Sequence, residues 1–297
     1  MAEAVEKGLK PVLAGRSHDK VSALAKKYDL PVQVFSIDEV ATKDDLIKGM
    51  NVVLNCAGPF SHTAAVVIEA CLKQKSHYLD ITGEIDVFEL AASLDDTAKQ
   101  AGVVLCPGVG FDVIPTDCLA QKLKQQMPDA THLVLGFDSR SGFSPGTAKT
   151  SAEALPYGGK VRENGVIKSV PLAYKTRRID FGAGEKLAMS IPWGDVSTAF
   201  YSTGIPNIEV YIPSSPRLVK KMKRVNWLRP ILAWSWVQNI IQKQIEAVKQ
   251  NISTQNRAIL SEVEPNKKRL DIIQKQINDG VIVNDYEGTI LTKYAYD

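Results

Sequence analysis

Apolar and polar positions in the first half of the chain form two alternating kinds of segment. The first kind is a short, continuous apolar run, typical of strands buried on both faces, and such runs lie at 11–15, 31–35, 51–56, 78–81 and 103–106. The second kind has apolar residues at helical spacing, and it covers 19–28, 43–50, 63–73, 87–100 and 115–127. This alternation predicts a doubly wound α/β domain with a parallel, Rossmann-like sheet over residues 1–128.

The pattern changes after residue 128. Shorter strand candidates separated by turn residues lie at 133–138, 168–173, 177–181 and 207–212. Gly158-Gly159 and Asn164-Gly165 fit hairpin connections. We therefore predict an α+β substrate domain with an antiparallel sheet over 129–250, followed by a divergent tail over 251–297.

Composition narrows the class of protein only slightly. A net charge of +3 does not suggest a nucleic-acid partner. The four cysteines form no CxxC pair, which favours a reducing, cytoplasmic compartment, and the four histidines show no metal-binding spacing, so no metal is expected. The charged first ten residues do not resemble a signal peptide.

The beginning of the chain bears directly on cofactor binding. A dinucleotide site needs a strand, then a G-x-G-x-x-G loop, then a helix whose amides hold the pyrophosphate. Here only ten residues precede the first predicted strand, and they read as the end of a helix capped by Gly8. We expect the first strand and the phosphate loop of the domain to lie upstream of Met1.

Two segments at predicted strand ends are candidates for binding a cofactor. Arg16 and Ser17 follow the second strand of such a fold, where an arginine accommodates the 2′-phosphate of NADP(H); a solvent-exposed arginine before a helix is the alternative. Ala57, Gly58, Pro59 and Phe60 follow a buried strand, where the glycine permits close approach of a ligand to the backbone; a plain tight turn is the alternative.

Carboxylates cluster at the next strand ends. Asp80, Glu84 and Asp112 are candidates for orienting a substrate or relaying a proton. Helix capping by Glu84 and loop fixation by Asp80 are equally compatible with these positions, so the sequence assigns no catalytic acid.

Three spaced motifs carry a resemblance to a known family: Asn55-Cys-Ala-Gly-Pro-Phe60, Tyr78-Leu-Asp-Ile-Thr-Gly-Glu84 and Pro107-Gly-Val-Gly-Phe-Asp-Val-Ile-Pro-Thr-Asp117. With Gly146-Thr-Ala148 and Pro192-Trp-Gly-Asp195, they resemble saccharopine dehydrogenase-like oxidoreductases, nearest to the trans-acting enoyl reductase branch, over about residues 2–244. The resemblance implies hydride transfer from NADPH to an enoyl or related lipid or polyketide intermediate. It also implies a substrate cleft bordered by Thr82, Gly83, Gly110 and Phe111.

The segment 217–245 combines a basic cluster with three tryptophans. Such a stretch is compatible with peripheral contact to a membrane or lipid, and equally with a helix packed on the substrate domain. Its most apolar part, residues 227–241, is too short and too often interrupted by polar residues to span a bilayer.

Three functional classes stay open at this point. The first is an NADPH-dependent oxidoreductase acting on a small or lipid-like substrate, with a homodimer as a possible assembly. The second is a pseudoenzyme or binding module, because the phosphate loop is missing from the sequence. The third is a protein associated with a lipid surface.

Overall fold

The computed structural model describes residues 2–43, 45–138, 154–182 and 184–232, together with isolated positions between 234 and 243. The strands are β1 (Leu13–Gly15), β2 (Val32–Val34), β3 (Val52–Asn55), β4 (His77–Asp80), β5 (Leu105–Cys106), β6 (His132–Gly136), β7 (Gly159–Glu163), β8 (Val166–Val170), β9 (Thr176–Asp180), β10 (Glu185–Ile191) and β11 (Asn207–Pro213). The α-helices are α1 (Ala2–Glu6), α2 (His18–Tyr28), α3 (Ile37–Thr42), α4 (Phe60–Gln74), α5 (Ile85–Ser93), α6 (Asp95–Ala101), α7 (Ile114–Gln126), α8 (Asp195–Thr203), α9 (Pro216–Val225) and α10 (Arg229–Leu232).

The parallel strands of the first half confirm the predicted Rossmann-like α/β class. They form two hydrogen-bonded groups, β1–β2 and β3–β4–β5, and both are parallel throughout. No ladder joins the two groups among the described residues. Tyr78, Ile68 and Cys71 are buried in the cluster between the β3–β5 group and its helices, whereas Leu13 and Ala25 lie in a separate cluster beside β1.

One predicted helix was wrong. Residues 43–50 were predicted helical, but the helix here is α3, and residues 45–49 form turns. The helix starts earlier because Ser36 and Glu39 form a capping box: the Ser36 hydroxyl accepts from the Glu39 N–H at 3.4 Å, and the Glu39 carboxylate accepts from the Ser36 N–H at 2.8 Å.

The second half forms a six-stranded sheet in the order β8-β7-β11-β10-β9, with β6 added beside β11. Its pairs are antiparallel as predicted, except that β6 runs parallel to β11. The predicted turn at Asn164-Gly165 connects β7 and β8, and both residues have a positive φ. The strands β7 and β10 were not predicted from the sequence.

A partly buried ion pair ties α5 to this second sheet. Arg162 on β7 is only 3% exposed, and its guanidinium donates to the Glu89 carboxylate at 2.8 Å and to the Val196 carbonyl at 2.9 Å. The Ser197 hydroxyl donates to the same Glu89 oxygen at 2.6 Å. The helix that follows β4 is therefore fixed to both β7 and α8, which determines where the loop before α5 lies.

The chain divides into two compact units. One comprises 1–137 and 157–227, and the other comprises 138–156 and 228–297. The domain boundaries predicted near residues 128 and 250 were placed where the sequence pattern changes, and they stay predictions. The predicted divergent tail over 251–297 lies outside the described residues.

Candidate functional site

The loop after β3 is held in shape by the buried side chain of Asn55 and the partly buried side chain of Thr63. The Asn55 carboxamide oxygen accepts from the Ala57 N–H at 2.9 Å, and its NH₂ group donates to the Thr63 hydroxyl at 3.2 Å. That hydroxyl donates to the Ala57 carbonyl at 2.6 Å. Ala57 and Gly58 are exposed, and the Gly58–Pro59 peptide is cis. The backbone at these two residues is thus both ordered and open to a ligand.

Glu84 caps a helix, but a different one from the helix that follows it. Its carboxylate accepts from the backbone N–H of Phe60 at 2.9 Å and of Ser61 at 2.7 Å, which are the first two residues of α4. A negative charge at this position offsets the positive end of the helix dipole. The Phe60 amide is therefore already bonded, although Phe60 was predicted to border a cofactor. A catalytic role for Glu84 stays a prediction.

Asp80 connects the loops that follow β4 and β5. It is fully buried, and its carboxylate accepts from the Tyr78 hydroxyl at 2.6 Å, the Thr82 N–H at 2.9 Å and the Gly108 N–H at 2.7 Å. Burial, together with this hydrogen bond to Asp80, raises the pKa of Tyr78 far above its usual range. Because these hydrogen-bond partners belong to the protein itself, the Asp80 carboxylate stabilises the conformation of the two loops.

The predicted substrate-cleft residues lie on those same two loops. Thr82 is buried, and its hydroxyl accepts from the Glu84 N–H at 3.0 Å. Gly83 and Gly110 are partly buried, whereas Phe111 is 75% exposed. Only Phe111 of these four presents a large side chain to solvent, which suits contact with an apolar ligand.

Asp112 lies against Gly83. A Cβ added to Gly83 would stand 2.8 Å from the Asp112 carboxylate, so the glycine leaves room for that side chain. Asp112 is half-buried, and burial raises the pKa of its carboxyl. Its backbone carbonyl accepts from the Trp193 indole N–H at 3.0 Å. Of the three candidate carboxylates, Asp80 and Glu84 are held by hydrogen bonds, while the Asp112 carboxylate has no hydrogen-bond partner in the described part of the chain.

The motif Pro192-Trp-Gly-Asp195 brings the second sheet to these loops. A Cβ at Gly194 would stand 2.6 Å from the Val113 side chain and 3.2 Å from the Gly83 carbonyl oxygen. Only a glycine permits this approach without a shift of the neighbours. The residues before α8 therefore pack directly against both loops.

Asp195 is the residue that sequence reasoning missed. It is fully buried at the start of α8, and neither carboxylate oxygen has a hydrogen-bond partner in the described structure. The pKa of Asp195 is raised to about 7, chiefly by burial; the nearby Thr116 hydroxyl lowers it, and the charges of Asp117 and Asp112 contribute to the rise. The sequence feature that could have drawn attention to Asp195 is its position as an acidic residue between the apolar end of β10 and the apolar helix α8.

Arg16 and Ser17 stand at the carboxyl end of β1. Arg16 is exposed, and Ser17 occupies the N-cap position of α2 without a capping hydrogen bond from its side chain. A guanidinium and a hydroxyl at this strand end suit the 2′-phosphate of NADP(H), and the exposed backbone at Ala57 and Gly58 suits a second part of the same cofactor. The donors present fit NADP(H) at these positions, although the sequence holds no G-x-G-x-x-G motif.

Two groups of parallel strands with loops at their carboxyl ends, together with a second sheet, are the architecture of dinucleotide-binding α/β folds. The fold is similar to that of apo saccharopine dehydrogenase from Saccharomyces cerevisiae, with a TM-score of 0.53 at 13% identity, covering 74% of this chain and 53% of that one.

Residues 2–106 match the family model "Saccharopine dehydrogenase NADP binding domain", so this part of the chain is similar to the NADP-binding domain of that family. The chain is 30% identical over 127 residues to the mouse saccharopine dehydrogenase-like oxidoreductase, covering 39% of this chain and 30% of that one. It is also 30% identical over 158 residues to the trans-acting enoyl reductase of Mycobacterium ulcerans, covering 48% and 37%. The match thus spans about a third of the length of these relatives. The predicted family is confirmed, and so is NADP(H) as its cofactor class.

Proposed function

We propose that this protein is an NADPH-dependent reductase of an enoyl group or a related activated double bond in a lipid or polyketide intermediate. The observation that carries the proposal is the meeting of three elements at one place: the loops after β4 and β5 and the Pro192–Asp195 segment, in a chain whose residues 2–106 match the model of an NADP-binding family. The similarity to a trans-acting enoyl reductase supports the choice of substrate class.

In this proposal, the residues of the chain have the following roles. Arg16 and Ser17 bind the 2′-phosphate, and the backbone at Ala57 and Gly58 borders the nicotinamide. Phe111 offers an exposed aromatic surface to an apolar substrate. Bound NADPH supplies the hydride.

Asp112 is our candidate for the proton donor. Reduction of an enoyl group needs one proton besides the hydride, and a donor works best when its pKa approaches the working pH. Burial shifts the pKa of Asp112 upward, which is the direction that a proton donor needs, and no hydrogen bond of the described structure occupies its carboxylate.

Replacement of Asp112 tests this assignment. We expect Asp112→Asn to lower kcat for NADPH oxidation with an enoyl thioester by about 10²- to 10⁴-fold, with little change in the Kd for NADPH. The matched control is Asp96→Asn, which removes an exposed carboxylate on α6. An unchanged kcat in Asp112→Asn would remove Asp112 from the mechanism.

A pseudoenzyme or binding module is the second candidate function. It is favoured by Glu84, which already occupies the backbone amides at the start of α4. A folded protein that fails to bind NADPH would support this alternative and contradict the reductase.

A further inference from the structure

The helix α9 presents two faces of opposite character. Val219 and Met222 point inward and pack in a cluster with Met189 and Ala173. At the end of the helix, the Asn226 side chain accepts from the Leu172 N–H at 2.7 Å and donates to the Leu172 carbonyl at 3.1 Å. The inner face and Asn226 thus hold the helix in place and leave its outer face free of these contacts.

The outer face of α9 is basic. Arg217, Lys221 and Arg224 follow each other at spacings of four and three residues, which places them on one side of the helix, opposite Val219. Lys220 and Lys223 are exposed as well. These five cations lie within eight consecutive residues, and α9 contains no acidic residue to balance them.

Exposed apolar side chains accompany this charge. Trp227, just after the helix, is 88% exposed, and Leu218 within it is exposed too. Farther along the chain, Trp234 and Trp236 are each more than half exposed. Tryptophan is the side chain that favours the boundary between lipid headgroups and acyl chains.

The sequence around α9 keeps the same sign of charge over a long stretch. Between Glu209 and Glu246 the chain holds seven lysines and arginines and no aspartate or glutamate. In the described residues no helix is long and apolar enough to cross a bilayer. A positively charged stretch with exposed tryptophan therefore has the chemistry of a surface contact and not of a span.

We propose that α9 and Trp227 form a docking surface for a membrane that contains anionic phospholipids. The cations of the outer face attract the negative headgroups, and Trp227 inserts at the headgroup boundary. Since the inner face already packs on the second sheet, binding needs no unfolding of the helix. The inference does not depend on cofactor binding, and it would bring a lipid-like substrate close to the protein.

Co-sedimentation of the full chain with vesicles tests this surface. Two vesicle preparations are compared. One is pure phosphatidylcholine, and the other is a mixture of phosphatidylcholine and phosphatidylserine. We expect binding to the anionic vesicles only, and weaker binding as the salt concentration rises. The triple variant Arg217→Gln, Lys221→Gln, Arg224→Gln should bind about 100-fold more weakly, since each cation near such a surface contributes about a five-fold effect.

Matched variants separate this surface from general charge. Lys20→Gln, Lys26→Gln, Lys27→Gln removes three lysines from α2 and should bind like the wild type. Trp227→Ala should bind roughly ten-fold more weakly, whereas Tyr157→Ala, at another exposed aromatic, should not. Unchanged thermal unfolding of each variant excludes loss of the fold as the reason.

Several outcomes would overturn the proposal. These are absence of binding to anionic vesicles, equal binding to neutral vesicles, and full binding by the α9 triple variant. Displacement of the protein from vesicles by a small amount of double-stranded DNA would show instead that the basic face serves a nucleic acid.

Discussion

We expect the free energy of unfolding of the wild-type protein to include a contribution that decreases as the pH rises from about 4 to about 7. The variant Asp195→Asn should lack this pH-dependent contribution. The pKa of Asp195 is raised from an ordinary 3.8 to about 7, chiefly by burial. Between these two values the folded protein keeps a proton that the unfolded chain releases, so the free energy of unfolding decreases with pH in this window. The loss is complete above pH 7 and corresponds to at most about 4 kcal/mol.

Urea unfolding of both proteins across this pH range measures the difference. We expect Asp195→Asn to be similar to the wild type near pH 4 and more stable than it at pH 8, because the amide carries no charge to bury. The matched control is Asp19→Asn, since the Asp19 side chain is fully exposed on α2. Parallel curves for the wild type and Asp195→Asn across the whole range would contradict the structural account of this carboxyl.

Replacing Asp80 by alanine should produce the largest loss of stability of any single change at the site. Three donors, the Tyr78 hydroxyl and the N–H groups of Thr82 and Gly108, would lose their acceptor inside the protein. Buried donors without partners are costly, and removal of a buried charged acceptor typically destabilises by about 3–5 kcal/mol. Since two of these donors belong to the loops after β4 and β5, the binding of ligands there should weaken as well.

Graded variants show whether the charge or the hydrogen bonds matter most. Asp80→Asn keeps the shape of the side chain but turns one acceptor atom into a donor, so we expect a loss between those of alanine and the wild type. Tyr78→Phe removes a single donor and should cost about 1 kcal/mol. An Asp80→Ala protein that unfolds at the same urea concentration as the wild type would contradict the role assigned to this carboxylate.

The sequence was informative about the parallel strands because their apolar runs are continuous. Four of these five runs contain a strand that is two residues shorter than the run, and β4 begins and ends one residue earlier than its run. The second sheet was harder, since β7 and β10 contain charged residues such as Lys160, Arg162 and Glu185. Arg162 reads as an exposed position, yet it is buried because Glu89, distant in the sequence, neutralises it.

The sequence places the candidate site residues at strand ends but does not reveal the contacts of each residue. Strand-end position alone drew attention to Asp80, Glu84 and Asp112, which indeed lie on or next to the loops that meet. What separates them is the set of hydrogen-bond partners, and these come from other segments: Phe60 and Ser61 for Glu84, and Gly108 for Asp80. A sequence pattern does not carry such long-range pairings.

Asp195 illustrates the same limit more strongly. Its unusual pKa arises from burial between α7 and α8 and from the neighbouring charge of Asp117. Neither is visible in the motif Pro192-Trp-Gly-Asp195, where the aspartate looks like an ordinary residue at the start of a helix.

Titration of the full chain with NADPH, followed by the fluorescence of the cofactor, tests the central claim most directly. We predict micromolar binding that weakens about ten- to a hundred-fold in Arg16→Ala, with little effect of that variant on NADH, because only NADPH carries the 2′-phosphate. The matched control is Arg224→Ala, an exposed arginine on α9. No binding up to millimolar NADPH, from a sample shown to be folded, would contradict the proposal that this protein is a reductase.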